Sequence, residues 1–245
     1  MNRKRNEPRL ERRSFLARLG AGIGIAGTAA IGSTGVARAA ADAPWRPVED
    51  AQDAWLDQIP GRHRFVFDAT TADGLGMGLR FAKNYFEANE RSYGLKNGDL
   101  AVVIVMRHRA TPFGFSNIIW EKYGKELTDQ AEFSDPKTGQ PFTNRMDDWF
   151  DRIFTRTSLG NVFVGDSTES ADLMGGLIKR GAHFALCQMS ALSVCGIIAR
   201  ATGSNTDAVY QQFAANLIPN ARIVPAGIVA VNRAQEHGYS YVYTG

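Results

Sequence analysis

Two cysteines, four histidines and a basic triplet behind an apolar run are the groups in this chain with chemical potential. Cys187 comes first. It ends the stretch Ala182-His183-Phe184-Ala185-Leu186-Cys187 and stands directly before a segment of helical character, Gln188 to Ala201. In open α/β sheets, ligands bind outside the carboxyl ends of the strands. A helix start also favours the thiolate, the nucleophilic form of cysteine. The same position suits a plainer role as a small buried hydrophobe, since free cysteine is among the most buried side chains. Cys195 falls on the apolar side of the following helix beside Ala191, Leu192 and Ile198, and reads as packing. Eight residues of helix separate the two cysteines, about 12 Å of rise. A disulfide tolerates a Cα separation under about 7 Å, so the two are not expected to pair.

Arg107, His108 and Arg109 follow the apolar run Leu100 to Met106, again at the carboxyl end of an expected strand. Their guanidinium groups suit an anionic sulfur species or a phosphate; equally, the three fit as solvated loop residues. The histidines, His63, His108, His183 and His237, are scattered. His183 shares a strand face with Cys187 but lies about 13 Å away along it, too far to activate the thiol directly. No spacing of His, Cys and carboxylates suggests a metal, and no haem-attachment sequence occurs, so no cofactor is expected. Asp73-Gly74-Leu75-Gly76-Met77-Gly78 resembles a dinucleotide fingerprint, but Leu79 stands where a third small residue is needed. No acidic residue follows Met106-Arg107 to bind a ribose. The expectation is a glycine-rich turn whose amides suit an anion at a helix start. No G-x-S-x-G sequence supports a serine hydrolase.

The elements that must position these groups alternate in type. His63 to Asp68 reads as a strand. Leu75, Leu79, Ala82 and Phe86 recur at helical spacing within a helix expected over 75–92. Asn97-Gly98-Asp99 marks a turn, and the unbroken apolar run 100–106 suits a strand covered on both faces. Later come a helix from Ser170 to Arg180, the Cys187 strand, and a helix closed by Gly203. A helix from Asn205 to Asn216, capped by Asn205 or Thr206, precedes a strand at Ala221–Val224. A helix from Ala226 to His237 and a strand from Tyr239 to Tyr243 complete the series. This alternation predicts an α/β domain with a mainly parallel sheet. Residues 107–168 depart from it. Ser116 to Leu127 has helical character, but 128–148, with Pro136, Gly139 and Pro141, has no period. A long irregular connection in a compact domain is usually functional or an oligomer contact. Trp149, Phe150 and Phe154 are expected to pack it down. Residues 40–61 form a lead-in, with Trp45 and Trp55 as anchors.

The first 39 residues are set apart. Basic residues lead to Glu11-Arg12-Arg13-Ser14-Phe15-Leu16, a diluted apolar stretch follows, and Ala37-Arg38-Ala39 offers a cleavage site. That order is a signal peptide, and the paired arginines mark the twin-arginine kind. The expected setting is therefore periplasmic, with the twin-arginine export machinery as a partner. Six glycines and three Ser/Thr between Leu19 and Val36 make a poor bilayer span, which wants about 20 mostly apolar residues. Of the 28 basic and 25 acidic residues, eight and two lie in this segment, so the remainder carries a formal −3. No basic face is left for nucleic acid.

Two segments carry a family resemblance. Lys179-Arg180-Gly181-Ala182-His183-Phe184-Ala185-Leu186-Cys187, with its helix reaching Gly196-Ile197, resembles the DsrE/DsrF/TusD group of sulfur-trafficking proteins. So does the tail, with Asn216-Leu217-Ile218-Pro219, Val224-Pro225-Ala226-Gly227 and Gln235-Glu236-His237-Gly238-Tyr239-Ser240-Tyr241-Val242. The resemblance covers 168–243 firmly and 62–105 loosely. It implies a three-layer, flavodoxin-like fold over 62–245 that assembles into trimers or hexamers. In the relay members a strand-end cysteine carries persulfide sulfur, and Cys187 falls on that position. Those members are cytoplasmic and their counterpart of 107–168 is shorter. The expected function is therefore an exported protein that binds or transfers sulfane sulfur through Cys187. The alternative is a non-catalytic periplasmic protein of the same fold that binds a small ligand or metal, or serves through its oligomer.

Overall fold

A computed structural model describes residues 50–134 and 173–245. The export segment, Trp45, and the aromatic residues Trp149, Phe150 and Phe154 lie outside those residues. In chain order the elements are α1 (Trp55–Gln58), β1 (His63–Ala69), α2 (Ala72–Tyr93), β2 (Leu100–Met106), α3 (Asn117–Ala131), α4 (Leu173–Lys179), β3 (His183–Cys187), α5 (Gln188–Thr202), α6 (Thr206–Ala214), β4 (Ala221–Val224), α7 (Gly227–Glu236) and β5 (Ser240–Tyr243). One sheet holds all five strands, in the order β4-β3-β2-β1-β5, and every pairing is parallel. Helices cover both faces, giving the α/β domain with a parallel sheet that the alternation predicts and the three-layer, flavodoxin-like architecture that the resemblance implies.

The unbroken apolar run in β2 is explained by its central place. Val102, Ile104 and Met106 enter one core with α2, α3, α4, α5 and α6, while Ala101, Val103 and Val105 enter a second core with α1 and α7. Period-two alternation sends successive side chains to opposite faces, and both faces of this strand are dry. Leu75, Leu79, Ala82 and Phe86, the helical stripe of the sequence, are fully buried against the first face. Trp55 and Leu56 anchor the lead-in on the second, and Arg222 stacks over the Trp55 ring.

The connections follow a simple course. From β1 to β4 each crossover steps to the neighbouring strand, and its described helices pack on the first face. The last one, β4 to β5, carries α7 over the second face and returns past β3, β2 and β1. The strand order therefore reverses between β1 and β5, while the connections that leave β3 and β4 lie on opposite faces.

Two local expectations change. The glycine-rich segment is no turn: α2 starts at Ala72, capped by the Thr71 hydroxyl, which accepts from the Gly74 N–H at 2.9 Å. Gly74 is needed because a Cβ there would overlap the Gly245 carbonyl. That carbonyl oxygen accepts from the N–H groups of Thr70 (2.6 Å) and Thr71 (3.2 Å). The Gly245 backbone thus lies against the segment read as an anion cradle. The start of the 107–168 stretch is also more ordered than its composition suggests. His108–Gly114 forms a 3-10 turn whose last five residues are buried, and α3 runs on to Ala131. Asn205, not Thr206, caps α6, its Oδ1 accepting from Asp207 and Ala208.

Candidate functional site

Cys187 is the last residue of β3 and the N-cap of α5. It pairs in register with Val224, the last residue of β4; α5 leaves β3 over one face and α7 leaves β4 over the other. Alternation puts Cys187 on the α7 side of the sheet with Ala185, Val103 and Val105.

Two helix starts converge on the sulfur. Burial alone would push the Cys187 thiol up, but the polar groups of Gly227 at the start of α7 and of Ser190 and Met189 at the start of α5 outweigh it, although the Cys187 side chain makes no cap hydrogen bond to α5. The pKa is held below the ordinary cysteine value. Amide dipoles at both helix starts favour negative charge at the same point. Cys187 is 7% exposed, so the thiol is screened yet lies among polar donors. Met189 and Ile228, the residues next to those donors, are 68% and 59% exposed.

The approach of α7 depends on a missing side chain. A Cβ on Gly227 would come within 2.5 Å of the Arg107 Cβ, so only glycine lets the start of α7 descend onto the ends of β2 and β3. Gly227 belongs to the Val224–Gly227 signature, but nothing in sequence spacing shows its amide reaching Cys187.

Cys195 follows two turns along α5, fully buried, and burial pushes its thiol up to about 12. Both cysteines are free. One position favours thiolate and the other suppresses it, within a single helix.

The basic triplet enters the site differently from the anion-binding expectation. The Arg107 guanidinium is committed to Asp68: Nε donates to Oδ1 at 2.8 Å and Nη2 to Oδ2 at 2.9 Å. Asp68 is 1% exposed and also accepts from the Tyr241 hydroxyl at 3.3 Å. Tyr241 is pushed up by burial and by the Asp68 carboxylate, and stays protonated. Arg109 pairs with Glu132. Neither arginine points a free guanidinium at the sulfur. His108 contributes through its backbone: its N–H donates to the Ser190 hydroxyl at 3.0 Å. Ser190 is a residue of this candidate site that sequence reading misses, for a lone serine one turn into an apolar helix carries no signal.

His183 sits at the other end of β3 from Cys187. Burial and the nearby Arg222 pull its pKa down, so it is a neutral residue remote from the thiol. His237 lies at the end of α7, with Nδ1 2.8 Å from Asp57 Oδ2. Among the described residues no three His, Cys, Asp or Glu side chains gather to hold a metal, and no helix is long and apolar enough to cross a membrane. A shallow cleft between α1 and α7 is walled by Asp53, Trp55, Val224, Val229 and Arg233; Cys187 is not among its walls.

Fold and site together define a three-layer α/β protein with a cysteine at a strand end of a parallel sheet, between the starts of two helices. Compared with protein-family models and with curated proteins, the sequence has no match in either.

Proposed function

We propose that this protein binds and transfers sulfane sulfur through Cys187. The observation that carries the reading is the meeting of two helix starts, α5 and α7, on one strand-end sulfur whose pKa they lower. A thiolate is the form that attacks disulfide and persulfide sulfur. Its Sγ lone pair attacks the outer sulfur of a persulfide or polysulfide donor. A new S–S bond forms at Cys187, the donor's S–S bond breaks, and the electron pair leaves on the donor's inner sulfur as a thiolate. The exchange is redox-neutral and needs no cofactor. The amides of Gly227, Ser190 and Met189 suit a negative sulfur before and after transfer.

The setting forms part of the same proposal. The Arg12-Arg13 leader supports twin-arginine export to the periplasm, and the resemblance to the DsrE/DsrF/TusD group supports a trimer or hexamer. Fractionation with and without the export machinery tests the first; light scattering tests the second.

The decisive experiment is intact-protein and peptide mass spectrometry after exposure to inorganic polysulfide. Sulfur atoms are expected on the Cys187 peptide, lost in Cys187→Ser and kept in Cys195→Ser. A folded protein whose Cys187 gains no sulfur across neutral pH would overturn the reading.

A further inference from the structure

We propose that Asn97-Gly98 is a self-modification site, where the Asn97 side chain converts to aspartate or isoaspartate while Arg180 polarises the reacting amide. The site lies in the turn that leads into β2, at the amino ends of the strands. Cys187 lies at a carboxyl end, so the inference does not depend on the sulfur-transfer reading.

Asn97 is the one asparagine in the chain that a glycine follows. Asparagine is thermolabile because its side-chain carbonyl carbon lies within reach of the next backbone nitrogen. A following glycine removes the Cβ that would crowd that approach and leaves the backbone free to turn. The fold adds no crowding of its own, for a Cβ built on Gly98 meets nothing within 4 Å. Asn97, Gly98 and Asp99 form one short 3-10 turn, exposed at all three residues. It is closed by the Asp99 N–H on the Lys96 carbonyl at 2.9 Å and the Lys96 N–H on Asp99 Oδ2 at 2.8 Å. A solvated turn held by so few bonds belongs to the part of a fold that opens readily.

Tertiary structure supplies the electrophilic partner. Arg180, just past α4, donates from Nε to Asn97 Oδ1 at 3.0 Å and from Nη2 to Glu90 Oε2 at 2.7 Å. Its guanidinium carbon also lies 4.9 Å from the centre of the Phe86 ring. Two residues of α2 thus hold the cation while its Nε addresses the Asn97 carbonyl. A fixed cationic donor on that oxygen stabilises the negative charge that builds there as a nucleophile adds to the carbon. The Gly98 nitrogen adds to Asn97 Cγ: an N–C bond forms, the Cγ–Nδ2 bond breaks, and ammonia leaves with the proton shed by Gly98. Water then opens the five-membered imide at either carbonyl, giving aspartate or isoaspartate at position 97. Nothing is oxidised or reduced. In the aspartate product, Arg180 exchanges a neutral acceptor for a charged one, which makes the stronger bond.

The test is peptide mass spectrometry of the full-length purified protein during incubation at mildly alkaline pH, with and without urea. The peptide holding residue 97 is expected to change from the amide to the acid mass, as a mixture of aspartate and isoaspartate, ahead of every other asparagine. Arg180→Ala is expected to slow this about tenfold in the folded protein, less than an enclosed donor would because the guanidinium is partly hydrated. In urea, where the contact is lost, the same variant is expected to convert at the wild-type rate. Glu90→Gln, which releases the other side of the guanidinium, is expected to slow the folded protein in the same direction and less. A folded wild type whose Asn97 stays an amide while the urea-treated chain converts overturns the proposal. An Arg180→Ala protein that converts when folded as fast as wild type, or faster, overturns it as well.

Discussion

The Arg107 guanidinium and the Asp68 carboxylate meet face to face across the ends of β2 and β1, with Nε–Oδ1 at 2.8 Å and Nη2–Oδ2 at 2.9 Å. Asp68 is almost wholly buried, while the Arg107 side chain is about one-quarter exposed. The pair therefore caps the carboxyl ends of two interior strands and carries its charge inward. A buried pair adds little net stability over apolar packing, but breaking it strands a charge.

Arg107→Ala is accordingly predicted to lower the unfolding free energy by about 3 kcal/mol. Asp68→Asn should cost less, because the amide keeps an acceptor for Arg107 and the exposed part of the guanidinium stays hydrated. Urea titration of both variants checks the order. Equal, negligible losses would mean that the carboxylate is not desolvated as the geometry indicates.

Alkaline stability should depend on Cys195. Its folded pKa is pushed up to about 12, above the unfolded value of about 8.5. The unfolded chain therefore loses this proton first. The contribution of Cys195 is complete below about pH 8.5 and is lost as pH rises toward about 12, with a slope near 1.4 kcal/mol per pH unit. Tyr239, pushed by burial to about 12, adds the same trend above about pH 10. Cys187 has the opposite sign, since its folded pKa is depressed. Cys195→Ala is predicted to flatten the fall in urea midpoint between about pH 9 and about pH 11; a slope identical to wild type would contradict this.

Two glycine substitutions should diverge in sign. Gly74→Ala places a methyl group against the Gly245 carbonyl and disturbs its bonds to Thr70 and Thr71. The better helix propensity of alanine, about 1 kcal/mol, is set against an overpacking cost of about 1–3 kcal/mol, and a net loss is predicted. Gly176→Ala, in α4, meets nothing within 4 Å and is predicted to gain about 0.5–1 kcal/mol. Thermal melts distinguish them; a stabilised Gly74→Ala would show that the Gly245 contact gives way easily.

Much of the fold is legible in the sequence because periodicity is a local property. The run 100–106 forms the central strand with the bounds its apolar character sets, and the stripe Leu75, Leu79, Ala82 and Phe86 lines a helix. Gly203 closes α5 in a left-handed conformation, as a glycine stop should. Cys187 likewise falls at a strand end before a helix, as the flanking pattern requires.

What sequence cannot express is which distant groups meet. The glycines after Thr71 read equally well as a phosphate loop, and only the return of the chain to Gly245 shows what lies against them. Arg107 and Arg109 read as anion ligands or as solvated loop residues, and only the fold shows Asp68 and Glu132 beside them. Local apolar spacing determined the strands, the helices and the strand-end address of one thiol. The order of strands decided its chemistry, because crossing α7 to the opposite face brings the Gly227 amide to that thiol, and neighbouring β2 turns the His108 amide toward Ser190. Those donors are remote in sequence and adjacent only in the folded sheet.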